Sequence, residues 1–261
     1  MLRFDSNSKL TVVVPTYREA ENLPELIRRV FAAASQIDMA TEMVVVDDDS
    51  RDGTEQICSE MQELYAVKLI TRKGERGLAT AVQCGIESAT SEWIIVMDAD
   101  LSHPPEVIPN LVRKLREGAD FVLGSRYVKG GSTDAQWSLY RWLNSRIAIL
   151  LAKGLTNVKD PTSGYFAFPK RILKSAPPLS PVGYKIGLEI LAKARCQKVV
   201  EIPIAFVDRQ RGTSKLNLKE QLLYLRHLGR LYCFRLRAAQ HRNIFGNMIN
   251  EEKPTITRKS R

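Results

Sequence analysis

Five apolar runs, each closed by a polar cluster, constrain this chain more than any other feature. Residues 10–14 (LTVVV), 42–47 (EMVVVD), 66–71 (AVKLIT), 92–97 (EWIIVM) and 121–123 (FVL) read as strands. Their apolar continuity is the pattern of strands buried on both faces. Helix signals separate them: Asn22 ahead of Pro24 and LIRRVFAAAS, the Asp52-Gly53-Thr54 turn, Leu78 after a glycine-rich loop, and Pro104-Pro105. This alternation predicts an α/β fold, a mostly parallel Rossmann-like sheet with helices on both faces. Ligands of such sheets bind outside the carboxyl ends of the strands. The polar clusters fall there: PTYRE (15–19), DDDS (47–50), RKGER (72–76), DADLS (98–102) and GSRY (124–127).

Asp98 and Asp100 follow the strand EWIIVM directly. Carboxylates so spaced at a strand end can share one hard cation, Mg²⁺ or Mn²⁺, with positions left for phosphate oxygens. Taken alone, two acidic residues are more simply a solvated turn; their place on the common edge is what favours a site. In Asp47-Asp48-Asp49-Ser50 one carboxylate can accept hydrogen bonds from a base or ribose, while Ser50 or Asp52 starts the next helix. Tyr17 offers a flat face and Glu19 a polar edge. Lys73-Gly74-Glu75-Arg76-Gly77 resembles a phosphate-binding turn without matching a P-loop or a GxGxxG fingerprint. Arg126 stands on the same edge. Arg141 and Ser145, one helical turn apart, can bind a phosphate, or Arg141 is a plain surface residue. Asp160-Pro161-Thr162-Ser163-Gly164 is a turn before the strand-like YFAF, and VVEIPIAFV reads as a further strand. Arg209, Arg211 and Lys215 form either a diphosphate clamp or a solvated basic loop. His103, a lone histidine after the acidic pair, is read as a structural hydrogen-bonder and left out of the site.

The chain of 261 residues carries a net charge of +10, and that excess lies wholly in residues 209–261, where 13 Lys/Arg face 3 Asp/Glu. An anionic partner follows for that segment. Residues 218–240 have a helical period, with Lys219, Arg226, Arg230 and Arg237 on one arc and Leu218, Leu225, Leu228, Tyr232 and Leu236 opposite. That pattern suits a basic amphipathic helix on an anionic membrane surface, or a helix docked on the domain. The expected division is a catalytic domain over 1–217, a helical appendage over 218–250 and a disordered polar tail over 251–261. The start of the chain lacks the apolar core of a signal peptide. The longest clean aliphatic run, Ile147–Ala152, is too short to span a bilayer. The four cysteines form no CxxC pair, which favours a reducing compartment. No nucleic-acid motif is present, so nucleic acid is not expected as a partner.

Together PTYREAENLP, VVDDDSRDGT, RGLATA, DADLSHPPE, GSRYVKGG, VKDPTSGYFAF, GYKIGLEIL and IPIAFVDRQRGTSKL resemble the dolichyl-phosphate (polyprenyl-phosphate) mannosyltransferases of glycosyltransferase family 2 over residues 10–217. The resemblance implies the GT-A fold and an inverting transfer of mannose from GDP-mannose to dolichyl or polyprenyl phosphate. It implies that Pro15, Tyr17, Glu19, Val46 and Asp48 hold guanosine. Asp98 and Asp100 would bind Mg²⁺ or Mn²⁺, with Ala99 against the donor. Arg126, Arg141 and Ser145 would receive the lipid phosphate, while Lys185, Arg209 and Lys215 complete the donor pocket. Some members carry Gln as a further metal ligand where this chain has Ser102, whose shorter hydroxyl leaves room for water. The implied place is peripheral, on the cytoplasmic side of a membrane, with a membrane-anchoring partner subunit left open. Two alternatives stand beside this reading: another donor such as UDP-glucose, or a non-catalytic module binding nucleotide sugar or anionic lipid.

Overall fold

The computed structural model describes residues 9–134, 139–180, 182–207 and 218–251. In chain order the elements are β1 (Lys9–Thr16), α1 (Leu23–Ala34), β2 (Ala40–Asp47), α2 (Thr54–Met61), β3 (Val67–Thr71), α3 (Leu78–Ser88) and β4 (Trp93–Val96). A 3-10 turn at Pro105–Val107 leads into α4 (Ile108–Arg116) and β5 (Phe121–Ser125). Then come α5 (Leu139–Ala152), β6 (Phe166–Pro169), α6 (Arg171–Lys174), α7 (Ile186–Lys193), β7 (Val199–Pro203) and α8 (Leu218–Glu251).

The strands form one sheet in the order β3-β2-β1-β4-β6-β5-β7. All pairings are parallel except those of β6, which runs antiparallel between β4 and β5. The sequence pattern shows β6 as a strand but not its direction. Its reversal matters, because the chain enters β6 at the edge where its neighbours end. The turn at 160–164 is therefore delivered to that edge.

Alternation within each strand feeds both faces. Val12 and Val14 of β1, with Trp93 and Ile95 of β4, pack under Leu26 and Val30 of α1 and Leu111 and Leu115 of α4. Val13, Ile94 and Val96 point the other way, into a cluster with Val82 and Ile86 of α3 and Ile186 and Ile190 of α7. This two-sided burial explains why the runs read as continuously apolar. Asn22 occupies the start of α1 but makes no capping bond with its side chain; its amide donates to Glu19 instead, at 2.7 Å.

The C-terminal helix docks on the domain. Tyr224, Leu228 and Leu231 of α8 are buried against Ala152, Leu155 and Leu188. Two tyrosine hydroxyls bolt it to α5, Tyr224 donating to the Ala148 carbonyl and Tyr232 to that of Leu151, each at 2.7 Å. Leu228, expected on the lipid-facing side, thus belongs to the dock, and Tyr232 is tied to it. Leu225 and Leu236 are exposed, as is Leu222. Arg226, Arg230 and Arg237 also face solvent. The tail from 252 onward lies outside the described residues. No helix among the described residues is long and apolar enough to cross a membrane.

Helix α3 lies so close to the sheet that a Cβ at Gly85 would stand 2.3 Å from Val13 Cγ1 and 3.2 Å from Val46 Cγ2. Gly85→Ala should therefore push α3 outward and cost about 1–3 kcal/mol, read as a lowered denaturant midpoint with an unchanged slope.

Candidate active site

The carboxyl ends of β1, β2, β4 and β5 hold the predicted polar clusters, and sharp backbone turns shape them. Arg18, Asp49, Arg51 and Leu101 all adopt positive φ, between 52° and 62°. Non-glycine residues seldom do so, and such strain gathers at functional edges.

At the end of β4, the Asp98 N–H donates to His103 Nδ1 at 3.0 Å. The His103 ring is buried, stacked on Tyr165 at 5.2 Å and edge-on to Phe206 at 5.6 Å. A nitrogen that accepts this bond carries no proton. Burial lowers the His103 pKa accordingly, against the pull of Asp98 and Asp100. His103 is thus the structural hydrogen-bonder that its sequence position suggested, a positioning residue for Asp98; what the sequence did not show is its aromatic seat, because those neighbours come from distant segments. Asp100 is buried, and its Oδ1 accepts from the Ser102 N–H at 3.1 Å and the Ser102 hydroxyl at 2.5 Å. Ser102 therefore orients Asp100 as well as lying beside it.

The donor set is consistent with a divalent cation. Asp98 is partly exposed, and Gly164 lies beside it, close enough that a Cβ there would touch both carboxylate oxygens at an ordinary 3.4 Å. Among the described residues no group of three His, Cys, Asp or Glu is arranged to hold a metal. Two carboxylates with the remaining positions left to water and ligand phosphates is the usual Mg²⁺ pattern.

Beside the acidic pair stands a buried ionic unit. Arg126 donates from Nε and Nη2 to Asp160 at 2.8 and 2.7 Å, and from Nη2 to Thr162 Oγ1 at 3.0 Å. The Arg126 N–H donates to Asp160 as well, at 3.0 Å. Burial opposes both charges, but each partner more than compensates: the Arg126 pKa rises and the Asp160 carboxyl is held below the usual range. Lys185 donates to the Thr162 carbonyl. Burial pushes its pKa down to about 8, with Arg126 adding to the shift and Asp160 and Asp98 opposing it. Asp98, Arg126, Asp160 and Lys185 thus form one electrostatic group. Asp160 and Thr162 appear in the sequence only as turn residues; their role needs the reversed β6.

The residues expected around a nucleoside lie at the ends of β1 and β2, where Pro15 pairs with Val46 and Thr16 with Asp47. Val46 is wholly buried in the core, so only its backbone can meet a ligand. Tyr17 is flanked by the guanidinium of Arg76 at 4.7 Å and that of Arg18 at 5.3 Å. Asp48 is buried and engaged: Arg72 Nε donates to its Oδ1 at 2.7 Å and the Gly77 N–H to its Oδ2 at 2.9 Å. Asp47 holds Ser50, whose hydroxyl accepts from the Arg18 N–H at 2.8 Å. Asp52 accepts from Ala20 N–H at 3.1 Å and Thr54 N–H at 3.2 Å. The acidic run therefore ties the first loop to the second and starts α2.

On α5, Arg141 and Ser145 lie on the inner, partly buried side, with the Ser145 hydroxyl 2.8 Å from that of Tyr127. Ala99 and Pro15 are buried at the same edge. Arg209, Arg211 and Lys215 lie outside the described residues.

The family model of glycosyl transferase family 2 matches residues 11–176, which contain the acidic pair, Arg126 and α5. The chain belongs to glycosyl transferase family 2. It is 45% identical over 227 residues to a dolichol-phosphate mannosyltransferase of Pyrococcus furiosus, covering 85% of this chain and 63% of that relative. It is 42% identical over 238 residues to the enzyme of the same name from Mycosarcoma maydis, covering 88% of this chain and 81% of the relative. The fold is shared with glucosyl-3-phosphoglycerate synthase from Mycobacterium tuberculosis, solved with Mn²⁺, UDP and glucosyl-3-phosphoglycerate. The TM-score is 0.61 at 19% identity, covering 87% of this chain and 80% of the other. This family member has the GT-A-like mixed sheet expected from its sequence.

Removing Arg126 would leave Asp160 buried and unpaired. Arg126→Ala should lower stability by about 3–5 kcal/mol in urea denaturation. Because the Asp160 pKa is depressed, its contribution is complete above the unfolded carboxylate value of about 4 and is lost as pH falls through the folded value. Asp160→Asn should flatten the acid limb of the stability–pH curve.

Proposed function

We propose that this protein transfers mannose from GDP-mannose to dolichyl or another polyprenyl phosphate, with inversion at the sugar C1. One observation carries the lipid acceptor: α5 has two unlike sides. Its inner side bears Arg141 and Ser145, the Ser145 hydroxyl 2.8 Å from that of Tyr127, the residue after Arg126. Its outer side exposes Leu139, Trp142, Leu143, Ile147, Leu150 and Leu151, with Arg146 among them. Leu139 is 77% and Leu150 62% exposed, which is costly in water and natural against acyl chains. The identity with two dolichol-phosphate mannosyltransferases supports the same reading. On it, the membrane-facing surface belongs to α5 together with the exposed leucines and arginines of α8, facing a cytoplasmic leaflet.

The chemistry asks mainly for positioning. A phosphate monoester, with a second pKa of about 6, is largely ionised at neutral pH and needs no strong general base. Its oxygen attacks C1 while the bond from C1 to the β-phosphate oxygen breaks, and the electron pair leaves on GDP. Asp98, aligned by His103, and Asp100, aligned by Ser102, would hold Mg²⁺ or Mn²⁺. When bound, the cation supplies neutralisation of charge on the departing diphosphate. Lys185 adds a positive field from the protein. Arg126, locked by Asp160, acts as a fixed charge rather than a swinging side chain, and Arg141 and Ser145 receive the acceptor phosphate. Tyr17, Glu19, Asp48 and the backbone of Pro15 and Val46 line the nucleoside side, with Ala99 against the donor. Arg209 and Lys215 complete the donor pocket, as the resemblance implies.

The decisive measurement is the formation of mannosyl lipid from GDP-mannose, polyprenyl phosphate and Mg²⁺ or Mn²⁺, with UDP-glucose as the competing donor. Product from UDP-glucose alone, or from neither, would sink the proposal. Asp100→Ala should lower turnover by about 10²-fold or more. Lys185 loses its proton as pH rises through about 8. Donor binding should therefore weaken above that pH, and Lys185→Met should remove the dependence. For the surface, Ile147→Glu with Leu150→Glu should abolish flotation with anionic vesicles while leaving the melting temperature near that of the parent.

A further inference from the structure

Arginines and aromatic rings alternate from the buried ion pair out to the surface of α5. The Arg126 guanidinium lies 5.4 Å from the centre of the Phe206 ring and 5.3 Å from that of Tyr127. The Arg146 guanidinium lies 5.4 Å from the same Tyr127 ring and 5.7 Å from that of Trp142. The series Phe206–Arg126–Tyr127–Arg146–Trp142 therefore starts beside Asp160 and ends on a tryptophan that is 44% exposed. Such contacts orient a guanidinium without neutralising it. Tyr127 is the central member. Its ring is flanked by two cations, and its hydroxyl lies 2.8 Å from that of Ser145.

The two arginines differ in what answers their charge. Arg126 spends Nε and Nη2 on Asp160. Arg146 is exposed, and among the described residues its side chain makes neither an ion pair nor a hydrogen bond. Its N–H donors are left for a ligand. The neighbours define where that ligand comes from. Trp142 and Leu150, one turn to either side on α5, are exposed, as are Leu143 and Ile147. A cation set among outward-facing apolar side chains belongs at the level of lipid headgroups. Ser145, next to it in the chain, belongs to the inner side.

We propose that Arg146 is a further ligand of the acceptor phosphate, and that Tyr127 is the positioning residue that sets Arg146 and Ser145 relative to one another. This inference rests on the acceptor reading given above and deepens it. A phosphate ester offers strong acceptor oxygens that suit the fork of a guanidinium. Arg126 cannot supply that fork, since Asp160 holds it. Arg146 can, from the side on which a lipid-borne phosphate arrives. Arg126 then provides fixed charge in depth, and Arg146 recognition at the surface. An arginine that only anchored the protein to anionic lipid would need no tyrosine behind it, and would respond to surface charge rather than to the acceptor.

The test removes the membrane by using geranyl phosphate, a short soluble acceptor, with geraniol as the control lacking phosphate. Calorimetry on the full chain without donor follows binding. Steady-state transfer from GDP-mannose separates the KM for acceptor from the KM for donor. Arg146→Gln should weaken geranyl phosphate binding and raise the acceptor KM by about tenfold, with the donor KM within about twofold of the parent value. Arg146→Lys, which keeps the charge and loses the fork, should fall between the two. Tyr127→Phe, which keeps the ring and loses the hydroxyl, should raise the acceptor KM about threefold or more. The proposal is overturned if Arg146→Gln binds geranyl phosphate like the parent, even where it lowers flotation with anionic vesicles. It is overturned too if that variant raises both KM values equally, or if the parent binds geraniol as well as geranyl phosphate. Tyr127→Phe with parental acceptor KM would remove the positioning role. Binding that depends on Arg146 without any transfer would sink the mannosyltransferase reading and support this one, and transfer indifferent to Arg146 would do the reverse.

Discussion

The ion pair between Arg126 and Asp160 joins the two halves of the candidate site. Arg126 follows β5, which runs with the main body of the sheet, and Asp160 precedes the reversed strand β6. Neither charge is tolerable alone at that depth. Their pairing fixes the 160–164 turn, which in turn places Thr162 under Lys185 and Gly164 against the Asp98 carboxylate. The antiparallel strand is what makes this possible. A parallel β6 would have put its leading turn at the opposite edge.

The strand-end clusters divide their labour. Some polar groups make the loops rigid: Asp47 with Ser50, Asp52 with Thr54, and Asp48 with Arg72. Others, notably Asp98 and Tyr17, keep solvent-accessible surface. Loops that must hold several like charges side by side need such internal bonds, since carboxylates as close as those of residues 47–49 repel unless each finds donors. Rigidity also limits the reorganisation required when an anionic ligand arrives.

Much of this was legible from residue order. Continuous apolar runs, buried on both faces, made β1, β2 and β4 recognisable, and the rule for ligand placement in parallel sheets located the acidic edge. What could not be read was pairing direction, because YFAF has the same composition whichever way it runs. With it went the partnership of Arg126 with Asp160 and the seat of His103 among Tyr165 and Phe206. The C-terminal helix was half legible. Its basic arc was visible, but the side that docks could not be told from the side that remains exposed, since leucines occupy both. Leu228 is buried and Leu225 is not because only one faces Ala152 and Leu188. The exposed face of α5 was hidden for the same reason, as its leucines look like ordinary core in sequence.

The two-sided helix α5 has a further consequence. On the reading proposed above, a cylinder of about 10 Å diameter would rest one side on lipid and turn the other toward the acceptor phosphate, and so set the working height of the whole molecule. On that reading the acceptor's headgroup need only rise by that distance to be met, and its hydrocarbon tail never has to leave the bilayer. Recognition then concerns a phosphate at a fixed altitude rather than a chain of a given length, and the protein's footprint on the surface becomes its ruler.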